Sequence, residues 1–144
     1  SDKVSQITLE SLFEQLDILN VNIAGAILKP SMVISGDKNK NRADTQTVAE
    51  MTLNRLVESC PSNLGGVAFL SGGQSDEEAT EHLNIMNKKK SELPWRVTFS
   101  YARAIQQSAL NHWRGKDDNA EKAQEILKNR ARLCSEASMG SLTT

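Results

Sequence analysis

The chain has 144 residues, which is long enough for one domain with a core of its own. Its 17 basic and 18 acidic side chains nearly cancel, so neither nucleic acid nor an anionic membrane is an expected partner. No stretch reaches the roughly 18 apolar residues of a membrane span, and no signal peptide precedes the first helix. Cys60 and Cys134 have no metal-ligand spacing, which favours reduced thiols in a cytoplasmic protein.

The first half of the chain predicts a helix, a strand and a second helix. Apolar residues recur at helical spacing between Leu9 and Leu16. The branched apolar run of residues 21–28 predicts a strand that is buried on both faces. A polar loop over residues 37–44 then leads into a helix over about residues 49–60, with Asp44 or Thr45 as its N-cap.

The second half predicts two more strands, each followed by helix. Residues 66–70 form a short apolar strand, and Ser75 with Glu78 predicts a capping box for the next helix. Residues 95–100 alternate apolar and polar side chains as a third strand. Two helices follow: one buries Trp113, and one is capped by Asp118 and ends near Ala137 before a frayed tail over residues 138–144.

Strands that alternate with helices require a parallel sheet, so the fold class is α/β. Three strands are few for a free-standing sheet, and a complete (β/α)8 barrel takes about 250 residues. We therefore expect residues 1–144 to be one partial TIM barrel, made of the last three βα units. The alternative, a small doubly wound sheet, lacks its Gly-x-Gly-x-x-Gly fingerprint here.

Lys29 is the candidate catalytic residue. It follows the first predicted strand, and Pro30 keeps its backbone extended where the sheet stops. A lysine in this position is usually a solvated surface charge. The apolar residues before it favour a second interpretation, in which desolvation yields a free amine that attacks carbonyl groups.

A candidate phosphate site follows the other two strands. Ser71, Gly72 and Gly73 form a turn whose backbone N–H groups can converge on an anion, and Arg103 offers a guanidinium fork just past the third strand. Each feature has a plainer explanation, as a tight turn or a surface charge. Together with Lys29 at the same edge, they predict a phosphorylated carbonyl substrate.

Three segments carry a resemblance to a known family. They are residues 27–33 (Ile-Leu-Lys-Pro-Ser-Met-Val), 69–80 (Phe-Leu-Ser-Gly-Gly-Gln-Ser-Asp-Glu-Glu-Ala-Thr) and 94–104 (Pro-Trp-Arg-Val-Thr-Phe-Ser-Tyr-Ala-Arg-Ala). They resemble the C-terminal half of a class I fructose-1,6-bisphosphate aldolase, and the resemblance extends from the first helix to about Gly140.

The resemblance implies an eight-stranded barrel, normally a homotetramer, that cleaves fructose 1,6-bisphosphate to dihydroxyacetone phosphate and glyceraldehyde 3-phosphate without metal or cofactor. It places Lys29 on the Schiff-base lysine, Ser71 and Gly72 on the loop that grips the ketose phosphate, and Arg103 on the phosphate-binding arginine. Gly73 and Ala102 belong to the same two motifs. In the family the proton-transferring acids come from the first five strands, so we expect little activity from these 144 residues alone.

The chain departs from the family pattern at three places: Ala24 replaces a glutamate, Ser31 an asparagine and Ala102 a glycine. A methyl at Ala102 is expected to crowd the phosphate and to forbid a positive φ. Two other functions stay open: a non-catalytic aldolase-like segment that associates with a partner chain, and a Schiff-base enzyme such as transaldolase. His82 and His112 have no second ligand at metal spacing, so we expect structural or surface roles for both.

Overall fold

The computed structural model describes residues 1–36 and 38–143. Asp37 in the predicted polar loop, the side chain of Lys90 and Thr144 in the predicted tail lie outside the described residues. The strands are β1 (Ile27–Leu28), β2 (Gly66–Phe69) and β3 (Val97–Phe99). The helices are α1 (Asp2–Ile18), α2 (Thr45–Ser59), α3 (Asp76–Lys88), α4 (Arg103–Trp113) and α5 (Ala120–Met139).

The strands form a parallel sheet in the order β1-β2-β3, which confirms the predicted α/β class. In register, Leu28, Val67 and Val97 make one row that faces the helices, and Phe69 and Phe99 make the next. The helices cover this face only. On the opposite face Ile27 and Thr98 are exposed, so the expectation of strands buried on both faces is wrong.

The first strand is also much shorter than the apolar run predicted. Residues Ile23–Gly25 form a 3-10 turn, and β1 has only two residues. Within the described residues β1 pairs with β2 alone, and Ile27 keeps 64% of its surface exposed. A strand is held by its neighbours' hydrogen bonds, so a strand with one neighbour loses regularity first.

The core lies between the sheet and the helices. Phe69, Leu83 and Met86 are fully buried there, and α3 is packed between α2 and α5. At the edge, α1 is attached to α2 by Leu9 and by a two-bond ion pair in which Arg55 donates to the Asp2 carboxylate at 2.8 and 3.0 Å. The helices therefore pack against one face of the sheet.

Local signals for helix starts are confirmed at two places. The Asp44 carboxylate accepts the Thr47 N–H at 2.8 Å, and Ser75 and Glu78 form the predicted capping box. The predicted Asp118 cap is wrong, because Asp117–Asn119 form a 3-10 turn and α5 begins at Ala120 without a side-chain cap.

The last helix runs further than predicted. It continues to Met139 and ends at Gly140 in the left-handed region at φ 72°. The Leu142 N–H then donates to Asn84 Oδ1 at 3.1 Å, so this part of the expected frayed tail is bonded to α3.

One other expectation fails at the outer helices. Trp113 was expected in the core but is 42% exposed, because α4 and α5 meet through small residues such as Ala109 and Ala123. His82, in contrast, is buried on α3. Among the described residues, the helices are too short or too polar for any of them to cross a membrane.

Candidate active site

Lys29 directly follows β1, and two hydrogen bonds fix the backbone just after it. The Leu70 N–H donates to the Pro30 carbonyl at 3.1 Å, which extends the β1–β2 ladder, and the Val33 N–H donates to Thr52 Oγ1 at 2.9 Å. Lys29 itself is exposed, so the desolvation expected from the apolar run is not present among the described residues. The reason is that the helices cover the opposite face of the sheet.

The turn after β2 is built around Ser71 and Gly73. Ser71 is buried, and its carbonyl accepts the Gln74 N–H at 3.3 Å. Gly73 has φ +78°, and a Cβ at this position would lie only 2.8 Å from Cδ1 of Ile34. The backbone conformation therefore favours glycine at this point of the turn, and a larger residue would also have to displace the end of the Ile34 side chain.

The first turn of α4 comes close to this glycine turn. A Cβ built on Gly72 would lie 3.5 Å from Nη2 of Arg103, so the guanidinium is beside Gly72. Ala102, the N-cap residue, has φ −102° and ψ −73° and no side-chain cap bond. The expected conflict with a positive φ is therefore absent. The Ile105 and Gln106 N–H groups donate to the Ala102 carbonyl, so the N–H groups that an anion can meet at this helix start are those before Ile105.

The register refines where Lys29 lies relative to the glycine turn. Continuing the β1–β2 pairing by one residue places Lys29 level with Ala68 and Thr98 on the open face. Ser71 comes three residues later, a rise of about 10 Å along the strand. The Lys29 backbone thus lies below the candidate anion-binding groups rather than level with them.

Arg42 is a site residue that the sequence did not reveal. It lies in the loop after β1, and its Nη2 donates to the Gly73 carbonyl at 3.0 Å and lies 3.9 Å from the Glu78 carboxylate. Arg42 and Arg103 therefore both lie beside the glycine turn, Arg42 at Gly73 and Arg103 at Gly72. A basic residue in a polar loop was the only signal for this contact.

His82 and Gln74 support the turn from behind. His82 Nδ1 and Gln74 Oε1 are 2.6 Å apart, and burial lowers the pKa of the histidine. This placement is the structural role expected for His82, whereas His112 is exposed at the end of α4. The described residues contain no cluster of three His, Cys, Asp or Glu side chains that could hold a metal ion.

A cavity of about 270 Å³ lies on the helix side of β1, between α1 and α2. It touches Lys29 and Pro30 but none of Ser71, Gly72 or Arg103. Its lining is mostly apolar, from residues such as Leu9, Leu28 and Leu56, so it does not join the candidate catalytic and anion-binding groups.

Comparison with known proteins gives one consistent result. The family model described as "Glycolytic: Fructose-bisphosphate aldolase class-I" matches residues 1–144. The chain is 44% identical over 138 residues to a cytoplasmic fructose-bisphosphate aldolase isozyme of Spinacia oleracea, covering 96% of this chain and 38% of that protein. It is 46% identical over 138 residues to chloroplastic fructose-bisphosphate aldolase 2 of Pisum sativum, covering 96% and 39% respectively.

A solved structure agrees with these sequences. The fructose-bisphosphate aldolase of Plasmodium falciparum, crystallised with TRAP and a small-molecule inhibitor, superposes with a TM-score of 0.92 at 43% identity. The match covers 99% of this chain and 41% of the other. The chain therefore spans about two fifths of the length of the relatives it matches, and its fold corresponds to a C-terminal part of a TIM barrel.

Proposed function

Because the chain belongs to the class I fructose-bisphosphate aldolase family, we propose that it supplies the Schiff-base lysine and one phosphate site of a carbon–carbon lyase. The substrate is fructose 1,6-bisphosphate and the products are dihydroxyacetone phosphate and glyceraldehyde 3-phosphate, in glycolysis and gluconeogenesis. No metal or other cofactor is needed for this reaction.

The observation that carries the proposal is the shared open edge of the sheet. Lys29 is exposed where β1 ends, and the Ser71–Gly73 turn and Arg103 lie next to each other at the carboxyl ends of the two neighbouring strands. In β/α folds, ligands bind at this end of the strands. The long side chain of Lys29 can cover much of the rise of about 10 Å to Ser71, so that its amine and the glycine turn can meet the C2 carbonyl and the nearby phosphate of one ligand.

In the proposed reaction, the unprotonated Nζ of Lys29 attacks the C2 carbonyl, one proton is taken up from solvent and water leaves, which gives a protonated imine. A base removes the proton from the C4 hydroxyl, the C3–C4 bond breaks, and its electron pair moves into the imine to form an enamine. Glyceraldehyde 3-phosphate leaves. Protonation of the enamine and hydrolysis of the imine then release dihydroxyacetone phosphate and restore the amine.

The anion-binding groups hold the ketose phosphate during these steps. Arg103 suits two phosphate oxygens at once, and the N–H groups near Gly72, Gly73 and Ala102 donate to the remaining oxygens, with the Ser71 hydroxyl beside them. The described residues place no carboxylate within 4.0 Å of Lys29 Nζ. We therefore expect imine formation without efficient cleavage from these 144 residues, because each missing proton-transfer group is worth roughly two to four orders of magnitude in rate.

Borohydride trapping tests the proposal. The chain is incubated with dihydroxyacetone phosphate, reduced, digested and mapped by mass spectrometry. We expect one adduct on Lys29, lost in Lys29→Arg and kept in the control Lys116→Arg, whose lysine is exposed between α4 and α5. An adduct spread over surface lysines, or equal labelling in Lys29→Arg, would contradict the proposal.

A second candidate function is association with a partner chain that completes the sheet. The observation that favours it is the open edge of β1, which pairs with β2 alone in the described chain and leaves Ile27 exposed. Exposed strand edges pair with other chains. Light scattering should then show a complex. Ile27→Lys should dissociate this complex, whereas Val57→Lys, on the exposed surface of α2, should leave it intact.

The wider assembly and location are also proposals. We propose a homo-oligomer, a tetramer in the complete protein, that acts on a phosphorylated sugar. A cytoplasmic location remains the expectation from the cysteines, while the matched relatives include both cytoplasmic and chloroplastic isozymes.

A further inference from the structure

We propose that Arg130 is the positioning residue of the phosphate site: from α5 it bonds the first turns of α3 and α4 and so sets the spacing between the Ser71–Gly73 turn and Arg103. This inference rests on the proposed function, because it concerns the site that would hold the ketose phosphate.

Arg130 is buried at 7% exposure, which is unusual for an arginine without a partner network. Its Nη2 donates to the Asp76 carbonyl and to Thr80 Oγ1, both at 2.6 Å, and its Nε donates to the Ala104 carbonyl at 3.0 Å. Two of the three acceptors are main-chain atoms. The guanidinium therefore fixes the backbone positions of two helices rather than only their side chains.

The bonded residues lie next to the candidate anion-binding groups. Asp76 is the first residue of α3, at the end of the turn that contains Ser71 and Gly73. Ala104 follows Arg103 in the first turn of α4. These turns belong to different βα units, so the distance between them is not set by local chain geometry, and one planar side chain bridges them.

A second bond repeats the same connection. The Ser108 hydroxyl on α4 donates to Asp76 Oδ2 at 2.5 Å, and this carboxylate oxygen also lies 3.9 Å from Arg130 Nε. Thr80 completes the group, since its hydroxyl donates to the Asp76 carbonyl at 2.6 Å. Asp76 is thus held from α3, α4 and α5 together.

The planar fork of arginine can serve acceptors in several directions, whereas a lysine offers a single ammonium on a flexible stem. Arg130→Lys keeps the positive charge and part of the bonding but loses the fixed bridge. We predict that Arg130→Lys displaces Arg103 and the glycine turn. Lys29, which follows β1 at the other edge of the sheet, should change little.

The test compares trapping of dihydroxyacetone phosphate with trapping of dihydroxyacetone, which has the same carbonyl and no phosphate. In the unsubstituted chain the phosphate should raise the trapping efficiency. We expect Arg130→Lys to reduce this advantage by about tenfold to a hundredfold, since a misplacement of about 1 Å can cost that much. Trapping of dihydroxyacetone itself should be unchanged.

Three variants and a folding check separate positioning from stability. Arg132→Lys, on the exposed surface of α5, should keep the full difference in trapping between dihydroxyacetone phosphate and dihydroxyacetone. Ser108→Ala should lose a smaller part of this phosphate advantage. It replaces Arg130→Lys in the test if circular dichroism shows that Arg130→Lys does not fold. Equal losses for both ketones, or an intact advantage in folded Arg130→Lys or Ser108→Ala, would overturn the inference. Absence of a phosphate advantage in the unsubstituted chain would instead refute the proposed phosphate site.

Discussion

Gly73 provides a quantitative test of the glycine turn. Its φ of +78° lies in the left-handed region, and an alanine Cβ there would approach Cδ1 of Ile34 to 2.8 Å. Gly73→Ala therefore adds two separate costs, one from the backbone and one from the contact. Neither cost exists at Gly36, where φ is not in that region and a Cβ would meet no atom within 4 Å.

The two costs can be sized from general values. A non-glycine residue in the left-handed region costs about 1–2 kcal/mol. The contact falls on the end of a flexible side chain, so Ile34 can rotate away for about 0.5–1.5 kcal/mol. Alanine also restricts the unfolded chain, which returns about 0.4–1 kcal/mol. We expect Gly73→Ala to lower the free energy of unfolding by about 2 kcal/mol.

Urea unfolding followed by circular dichroism measures this difference. Gly36→Ala is the control and should be neutral or slightly stabilising. Ile34→Val removes Cδ1, the atom that an alanine at position 73 would approach. In the Ile34→Val background, Gly73→Ala should therefore cost less free energy of unfolding than in the unsubstituted chain, by the contact contribution alone. The reasoning is refuted if Gly73→Ala is as stable as Gly36→Ala, and the steric part is refuted if Ile34→Val recovers nothing.

Two further predictions concern buried titratable groups. Burial lowers the pKa of His82 in the folded chain, so below the ordinary histidine pKa of about 6.5 the unfolded chain binds more protons than the folded one. The free energy of unfolding should therefore fall as the pH is lowered from about 6.5 to the pKa of folded His82. His82→Asn should remove this pH dependence, whereas His112→Asn should keep it. Burial raises the pKa of the Cys60 thiol to about 11 and also raises that of Cys134, so at pH 8 about one Cys60 in a thousand is a thiolate. A disulfide reagent should then label both cysteines slowly in buffer and fast in urea, and rapid labelling of the folded chain would contradict the burial.

Two local signals in the sequence were accurate because their partners are close along the chain, whereas the Asp118 cap failed where a 3-10 turn precedes α5. The N-cap at Asp44 and the capping box of Ser75 and Glu78 each need residues only three positions apart. The order of strands and helices followed from the same kind of short-range pattern. The order of the elements put the motifs around Lys29, Ser71 and Arg103 after successive strands, whereas the strand register lowers Lys29 by three residues relative to Ser71.

Features that depend on contacts between residues far apart in the sequence could not be predicted from local patterns. The run of residues 21–28 is largely apolar, but Ile23–Gly25 form a 3-10 turn and only Ile27–Leu28 pair with β2 as a strand. Trp113 fits an apolar helical stripe, yet small alanines make the contact between α4 and α5. Burial of Arg130 required acceptors from two other helices, and Arg42 required a carbonyl 31 positions away.

The central claim is that the amine of Lys29 and the anion-binding turn act on one bound molecule. Inorganic phosphate, used as a competitor during borohydride trapping, tests this claim most directly. The account predicts that phosphate slows labelling of Lys29 by dihydroxyacetone phosphate and that Arg103→Met removes most of this sensitivity, while labelling by dihydroxyacetone stays unchanged. Labelling of Lys29 that ignores phosphate in the unsubstituted chain would show that the two groups do not share a ligand and would contradict the account.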